Sequence, residues 1–106
     1  MFARRISMHL KPNSLAQFTQ THEKEIIPLL RKQKGFQDIL VFVTPSGTEA
    51  LGISLWDRAE SAEAYNRGVQ PEVAKLLAKV VEGPLLVETY NVSNSTYHKI
   101  AAAAAA

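Results

Sequence analysis

One histidine falls on the apolar side of a predicted helix. His22 follows Phe18 by four positions and precedes Ile26 by four, so a helix places the three side chains on one face. An imidazole gains and loses a proton near neutral pH, and one that lines a pocket can take a proton from a phenol or an enolisable carbon. His22 is therefore the candidate catalytic base, and a hydrogen-bonded structural histidine is the alternative.

Four other side chains are candidates for contact with a substrate: Trp56, Tyr65, Asn66 and Tyr90. The Trp56 indole N–H can orient a substrate oxygen, and the Asn66 amide can donate a hydrogen bond to a developing oxyanion. Trp56 and Tyr65 also suit plain packing in the core, and Asn66 also suits pairing with backbone groups near a helix break at Gly68. The sequence leaves both interpretations open.

The residue types exclude several other chemistries. The chain has no cysteine, so it can form neither disulfides nor zinc–thiolate sites and has no thiol nucleophile. The serines and histidines show no nucleophile–base–acid order, and the sequence has no glycine-rich phosphate loop. His22 and Glu25 lie one helical turn apart, but the sequence has no second pair of this kind to complete a metal site. We therefore expect a site without a metal or another cofactor.

Composition indicates one globular domain with neither a nucleic-acid nor a membrane partner. The 106 residues are 46% hydrophobic and 21% charged, with a formal net charge of +2. The basic run 31–34 lies where a helix is predicted to end, and cations there complement the helix dipole. The longest apolar run, 39–43, is far shorter than the ~20 residues of a membrane span, and the N-terminus lacks the apolar stretch of a signal peptide. These features favour a soluble, cytoplasmic protein.

Hydrophobic periodicity predicts four strands. Apolar residues at period two and flanking turn residues indicate strands over Phe2–Leu10, Phe36–Thr44, Glu49–Trp56 and Leu85–Val92. The turn at 45–48 joins the second strand to the third as a hairpin.

Two helical patterns fill the remaining segments. A helix kinked at Pro28 connects the first two strands. A second helix, interrupted near Pro71 and closed by Gly83–Pro84, precedes the last strand. The order βαββαβ predicts a ferredoxin-like α+β fold, with a four-stranded antiparallel sheet covered on one face by two helices. We expect this domain to span residues 1–93, followed by a polar and alanine-rich tail over 94–106.

The second predicted strand has no polar face. Strict alternation places Phe36, Leu40 and Phe42 on one side and Ile39, Val41 and Val43 on the other. A single helical layer can bury only one of these faces, so we expect a second copy of the chain to cover the other. The predicted assembly is a homodimer joined through its sheet faces.

Two stretches of sequence carry a family resemblance. The junction 29–36 into the second strand, and the passage 54–65 in which Trp56 ends a strand and an acidic, alanine-rich helix follows, resemble the antibiotic biosynthesis monooxygenase (ABM) domain family of dimeric α+β barrels. The similarity extends over residues 2–92. It implies homodimers whose sheets pack face to face, with a ligand cavity between the sheet and the helices of each subunit. Some members of the family oxygenate aromatic polyketides without metal or flavin, and others degrade heme.

The heme-degrading branch of the family is not matched. Those members carry a histidine on the second helix, at the position that Asn66 or Arg67 occupies here. The resemblance therefore implies a cofactor-independent monooxygenase of a small aromatic or quinol-like substrate, and the position of His22 on the apolar helix face makes it the candidate base. Two alternatives stay open: a homodimer that binds a small apolar metabolite without catalysis, and an interaction module whose cavity is filled by its own side chains. Polar side chains converging on the cavity would favour the enzyme.

Overall fold

Four strands of the described chain, residues 1–97, form one antiparallel sheet in the order β2-β3-β1-β4. In the computed structural model they are β1 (Phe2–Leu10), β2 (Phe36–Val43), β3 (Glu49–Trp56) and β4 (Val81–Asn91). This order confirms the predicted ferredoxin-like α+β fold, because β1 lies between β3 and β4 and every neighbouring pair is antiparallel. His98 and the alanine run of the predicted tail lie outside the described residues.

The helical segment between β1 and β2 contains one widened turn. It consists of α1 (Leu15–Thr21), a π-helical turn (His22–Ile26) and α2 (Ile27–Arg31). In the wide turn the Ile27 N–H donates to the His22 carbonyl, one residue further back than in an α-helix. Pro28 accounts for this change, because it has no N–H and its ring crowds the carbonyl four residues earlier. The predicted kink therefore takes the form of a wide turn that begins at His22.

Two shorter helices connect β3 to β4. They are α3 (Ala59–Gly68) and α4 (Gln70–Leu77), which are separated at Val69, and Pro71 lies in the first turn of α4. The helices bury one face of the sheet, and the core between them includes Met8, Phe18, Ile26, Leu30, Trp56, Tyr65, Val73 and Leu77. No helix within residues 1–97 is long and apolar enough to span a membrane.

The start of β4 differs from the prediction. The strand begins at Val81, four residues before the predicted Leu85, and Gly83 and Pro84 lie within it instead of closing a helix. Between the pairs Ser7–Leu86 and His9–Glu82 the β4 strand has two more residues than β1, so it bulges there. Gly83 adopts a φ of +80°, and Pro84 has no N–H to leave unpaired at the bulge. Glycine and proline are both suited to this irregular segment, although they are typical of helix ends as well.

A second bulge reverses the predicted orientation of one aromatic side chain. Phe36 pairs with Trp56 and Asp38 pairs with Leu55, so Gln37 is an extra residue in β2. The ring of Phe36 contacts Trp56 edge-on at a centroid distance of 5.6 Å and joins the core. The prediction that Phe36 shares a face with Leu40 and Phe42 was therefore wrong. Strict alternation fails where a strand bulges.

The other face of the sheet points away from the helices, and we call it the outer face. It carries Leu40, Phe42, Leu86 and Tyr90, each more than two-fifths exposed, together with the half-buried Leu51, Ile53 and Leu55. Two ion pairs cross this face: Arg5 to Glu88 at 3.3 Å and His9 to Glu49 at 3.2 Å. Val41, which alternates with Leu40 and Phe42, points instead towards the helices.

Candidate functional site

A small cavity lies between the sheet and the helical layer. Its volume is about 40 Å³, and most of its wall is aliphatic or aromatic. Four side chains with polar groups line it: Arg4, His22, Ser54 and Tyr65. An apolar cavity needs about 150 Å³ to take up benzene, so this inner cavity has room for dioxygen or a little water but not for an aromatic ring.

His22 connects the inner cavity with the surface. It also lines a groove of about 440 Å³ between the first helical segment and β2, which we call the side groove. Phe18, Ile39 and Val41 line both spaces as well. The widened helical turn begins at His22, whose ring lies 6.0 Å from that of Phe18. The imidazole therefore stands between a space that can hold a ring-sized molecule and one that can hold only a diatomic gas or water.

The surroundings of His22 favour its neutral form. Burial lowers the pKa of the imidazole below its ordinary value of 6.5, because the charged form loses solvation there. A neutral imidazole has one ring nitrogen free to accept a proton. At neutral pH His22 is therefore in the state that a general base requires.

Arg4 is the least expected member of the site. Its side chain is on the inner face of β1, the residue is only 3% exposed, and its guanidinium donates to Asn66 Oδ1 at 2.7 Å and to Gln70 Oε1 at 3.1 Å. The guanidinium also lies 5.5 Å from the centre of the Tyr65 ring, in cation–π geometry. Within residues 1–97 no carboxylate forms an ion pair with it. A buried cation is thus held by neutral groups alone.

The sequence contained a signal for Arg4 that our sequence analysis did not use. Apolar residues recur at every second position of β1, at Phe2, Ile6, Met8 and Leu10, and Arg4 interrupts that series. Charged residues are rarely buried without a partner, so a charge in the core-facing phase of a strand indicates a site or a paired group.

Tyr65 is a neutral phenol in the wall of the cavity. Burial raises its pKa to about 12, although the positive charge of Arg4 acts in the opposite direction. Its ring packs against the Trp56 indole at a centroid distance of 5.1 Å. Tyr65 can therefore donate a hydrogen bond at any physiological pH but cannot serve as an anionic partner for Arg4.

Trp56 and Ser54 support the site from behind. Trp56 is completely buried, and its indole N–H donates to Ser54 Oγ at 2.9 Å. The Ser54 hydroxyl in turn donates to the Arg4 carbonyl at 3.3 Å. The indole N–H is thus hydrogen-bonded within the protein, and the Trp56 side chain does not line the cavity.

The candidate residues from the sequence are only partly brought together. His22 and Tyr65 line the cavity, Asn66 holds Arg4 at its edge, and Trp56 packs behind it. Tyr90 does not belong to this group: it pairs with Ala3, on the outer face of the sheet, and is 45% exposed. The bulge in β4 and the alternation along it place the phenol on the side away from the helices.

Solved structures share this fold at low sequence identity. A Nitrosomonas europaea protein of unknown function is 12% identical, with a TM-score of 0.74 over 90% of this chain and 91% of its own. A provisionally assigned antibiotic biosynthesis monooxygenase of Deinococcus radiodurans is 16% identical, with a TM-score of 0.73 over 90% and 95%. A Streptomyces coelicolor monooxygenase, solved in complex with the ligand nanaomycin D, is 15% identical, with a TM-score of 0.70 over 89% and 88%. The chain therefore has the fold of the ABM proteins.

Sequence comparisons add no closer relative. No protein-family model matches the chain, and no curated protein matches it. The solved structures share the fold of this chain, so its chemistry has to be argued from its own side chains.

Proposed function

We propose that the protein is a cofactor-independent monooxygenase of a small aromatic or quinol-like substrate. The observation that carries the proposal is the position of His22, a neutral imidazole between the side groove and an apolar inner cavity. The groove offers space for the organic substrate, and the cavity offers a small, mostly apolar space for dioxygen. A base placed between the two reactants is what such a reaction needs from the protein.

The reaction proceeds without an added redox group. His22 removes a proton from an acidic CH₂ or phenolic O–H of the substrate, which leaves an electron-rich anion. The anion transfers one electron to dioxygen, and the resulting radical and superoxide combine into a peroxide anion. The protonated His22 returns its proton to give a hydroperoxide, which eliminates water. For a CH₂ group the balance is R₂CH₂ + O₂ → R₂C=O + H₂O.

Arg4 and Tyr65 supply the electrostatic support for this sequence. Negative charge moves from the substrate to oxygen during the reaction, and the buried guanidinium of Arg4 lies in the wall of the cavity that would receive it. In a low-dielectric site a fixed positive charge and a neutral phenol donor stabilise such an oxyanion much more than water-exposed groups do. These two side chains therefore suit a reaction that builds up an oxygen anion.

Oxygen-electrode measurements on protein stripped of metals and flavin test the proposal. Wild type should consume oxygen with at least one member of a panel of quinols and phenols, and His22→Ala should lower the rate by ~10²–10⁴-fold while the melting temperature is largely kept. His22→Gln provides a second, more isosteric variant, and His9→Ala on the outer face is the matched control, which should keep the rate. Absence of oxygen uptake by wild type across the panel would overturn the proposal.

A non-enzymatic small-molecule-binding protein is the second candidate. The observation in its favour is the small volume of the inner cavity, about 40 Å³, which directs an organic ligand to the larger side groove. This candidate predicts saturable binding of apolar ring compounds without oxygen uptake, and a change of only a few-fold in affinity after His22→Ala, because His22 is one of several wall residues of the groove. The oxygenase instead predicts that compounds of the panel that bind are also oxidised, with uptake of oxygen.

We also propose that the working unit is a homodimer joined through the outer faces. Four large apolar side chains there are more than two-fifths exposed: Leu40, Phe42, Leu86 and Tyr90. They lie on one face of the sheet together with the half-buried Leu51 and Ile53, and an apolar patch of this extent is uncommon on a monomer. The charged side chains on this face are engaged within the chain, Arg5 by Glu88 and Glu49 by His9, which leaves the apolar side chains to meet the second copy.

A further inference from the structure

A buried positive charge without a negative partner needs an explanation. The Arg4 guanidinium donates to two amide oxygens and lies near one neutral phenol ring, and each of these partners offers a dipole or quadrupole instead of a charge. Removing a guanidinium from water is costly, and proteins normally offset this with a carboxylate. An enzyme or binding protein accepts such a cost where a ligand supplies the missing anion.

A groove on the surface leads to this cation. It lies between α3 and β4, has a volume of about 170 Å³, and is separate from the side groove at β2. We call it the Arg4 groove, and its wall includes Phe2, Arg4, Ala62, Asn66, Val87 and Thr89. Apolar groups from the strands and from α3 thus surround one guanidinium and the amide that holds it. The volume slightly exceeds the 150 Å³ or so that takes up a single benzene ring.

We propose that the Arg4 groove is a binding site for a single-ring aromatic carboxylate, with Arg4 as the counter-ion. The ring would pack against Phe2, Val87 and the methyl of Thr89, and the carboxylate would accept hydrogen bonds from the guanidinium. Asn66 and Gln70 hold the guanidinium in place before the ligand arrives, so little side-chain freedom is lost on binding. The Arg4 groove opens on a different side of the helical layer from the side groove and shares only Arg4 with the proposed oxygenation site, so benzoate binding can be measured whether or not the protein takes up oxygen.

Charge at the groove favours a monoanion over a polyanion. Glu63 lines the same groove without forming an ion pair with Arg4. Its negative charge opposes a phosphate or a dicarboxylate more strongly than a single carboxylate. A planar carboxylate also matches the fork of a guanidinium, whereas an uncharged ring gains nothing from Arg4.

Titration with sodium benzoate tests the site directly, and benzamide is the neutral control of the same shape. Benzoate should bind saturably with one molecule per chain, raise the melting temperature, and bind about tenfold or more tightly than benzamide. Amide resonances of Asn66, Val87 and Thr89 should shift in NMR spectra during the titration. Equal binding of benzoate and benzamide would overturn the proposal, as would shifts confined to Arg5 and the outer face.

Variants separate the site from general charge effects. Thr89→Phe fills the groove from an exposed strand position and should abolish benzoate binding, whereas Thr89→Val keeps the volume and should retain it. Glu63→Gln removes the opposing charge and should tighten binding by about twofold to fivefold. Arg4→Met should abolish binding, and Thr89→Phe supplies the answer if Arg4→Met does not fold. Unchanged binding in folded Thr89→Phe would rule the groove out.

Discussion

The two faces of the sheet carry similar apolar side chains, but the helices bury those of the inner face and leave those of the outer face exposed. At the inner face, Trp56 of the sheet packs in one core with Phe18 and Ile26 of the helical segment, and each of the three is at most 2% exposed. On the outer face, Phe42 and Leu86 are 51% and 60% exposed. Alternation along a strand predicts which residues share a face, but it does not say whether the same chain or a second one covers that face.

The two faces also differ in the surroundings of their polar groups. Inside, Arg4 donates to the amides of Asn66 and Gln70, and Ser54 Oγ links the Trp56 indole N–H to the Arg4 carbonyl. Outside, Arg5 is paired with Glu88 and His9 lies 3.2 Å from Glu49, and all four side chains are partly exposed. Fixed polar groups in a water-poor space favour chemistry, whereas solvated ion pairs around apolar side chains favour association. This difference supports our proposals of ligand binding and catalysis at the inner face and of self-association through the outer face.

The largest expected effect is on the inner face. Phe18→Ala should lower the free energy of unfolding by about 3–5 kcal/mol, because the buried ring leaves a cavity that the neighbouring side chains cannot fill. Leu15→Ala on the same helix is the control, since Leu15 is 39% exposed, and it should cost about 1 kcal/mol or less. Urea unfolding measures both. Equal losses would mean that the inner face is not the packed one.

The second prediction concerns the outer face. Phe42→Asp should weaken dimerisation by roughly 10²-fold or more, since it places an unpaired charge in the proposed interface, while each subunit stays folded. Gln17→Asp, on an exposed part of α1, is the control and should leave the dimer intact. Sedimentation equilibrium measures both. A wild-type chain that is a folded monomer at micromolar concentration would contradict the proposed assembly.

The order of the elements could be predicted because each has its own periodicity and its own terminating residues. Pro28 predicted a distortion in the first helical segment, and Pro71 predicted the start of α4, because both prolines act through the local backbone. Phe36 was misplaced for a different reason. It lies beside a bulge in β2, and such irregularity is decided by pairing with another strand, which the local sequence does not encode.

The positions of some candidate residues could be predicted in the same way. His22 and Tyr65 share a helical face with core residues, and both line the cavity. The amide oxygen of Asn66 accepts a hydrogen bond from Arg4, which lies 62 positions away in sequence. Contacts of this kind follow from the crossing of α3 over β1, and no spacing rule within one element can supply them.

The third prediction sharpens the role assigned to the inner cavity. Gly52 lines it, and a methyl group added there would lie 3.6 Å from Ile39 Cδ1, an ordinary contact. Gly52→Ala should therefore raise the free energy of unfolding by about 0.5–1 kcal/mol, because alanine suits a strand better than glycine. It should also lower kcat/KM for oxygen by about tenfold, since the methyl takes up space proposed for dioxygen.

A second glycine provides the control for that experiment. A methyl group added at Gly68 would meet no atom within 4 Å, and the residue lies at the end of α3 away from the cavity. Gly68→Ala should raise stability by a similar amount and leave oxygen kinetics unchanged. If both variants are equally active, the cavity does not hold dioxygen, and the reactants must meet in the side groove.

The smallest expected effect is a dependence of stability on pH that comes from the inner face alone. Burial lowers the pKa of His22 in the folded protein below its ordinary value of 6.5, so the unfolded chain binds this proton more readily than the folded one. The free energy of unfolding should consequently fall as the pH drops below 6.5 towards the folded pKa, and it should be independent of this group above pH 6.5. Urea unfolding between pH 8 and 5 measures the slope. His22→Gln should remove part of it, whereas His9→Gln, which alters the outer face, should leave that part in place.

The same lowered pKa of His22 predicts that the acid limb of the oxygen-uptake profile lies below pH 6.5, because the base stays neutral down to the folded pKa. A limb at or above 6.5 would show that His22 is charged when the substrate is bound, and a charged imidazole cannot accept the substrate's proton.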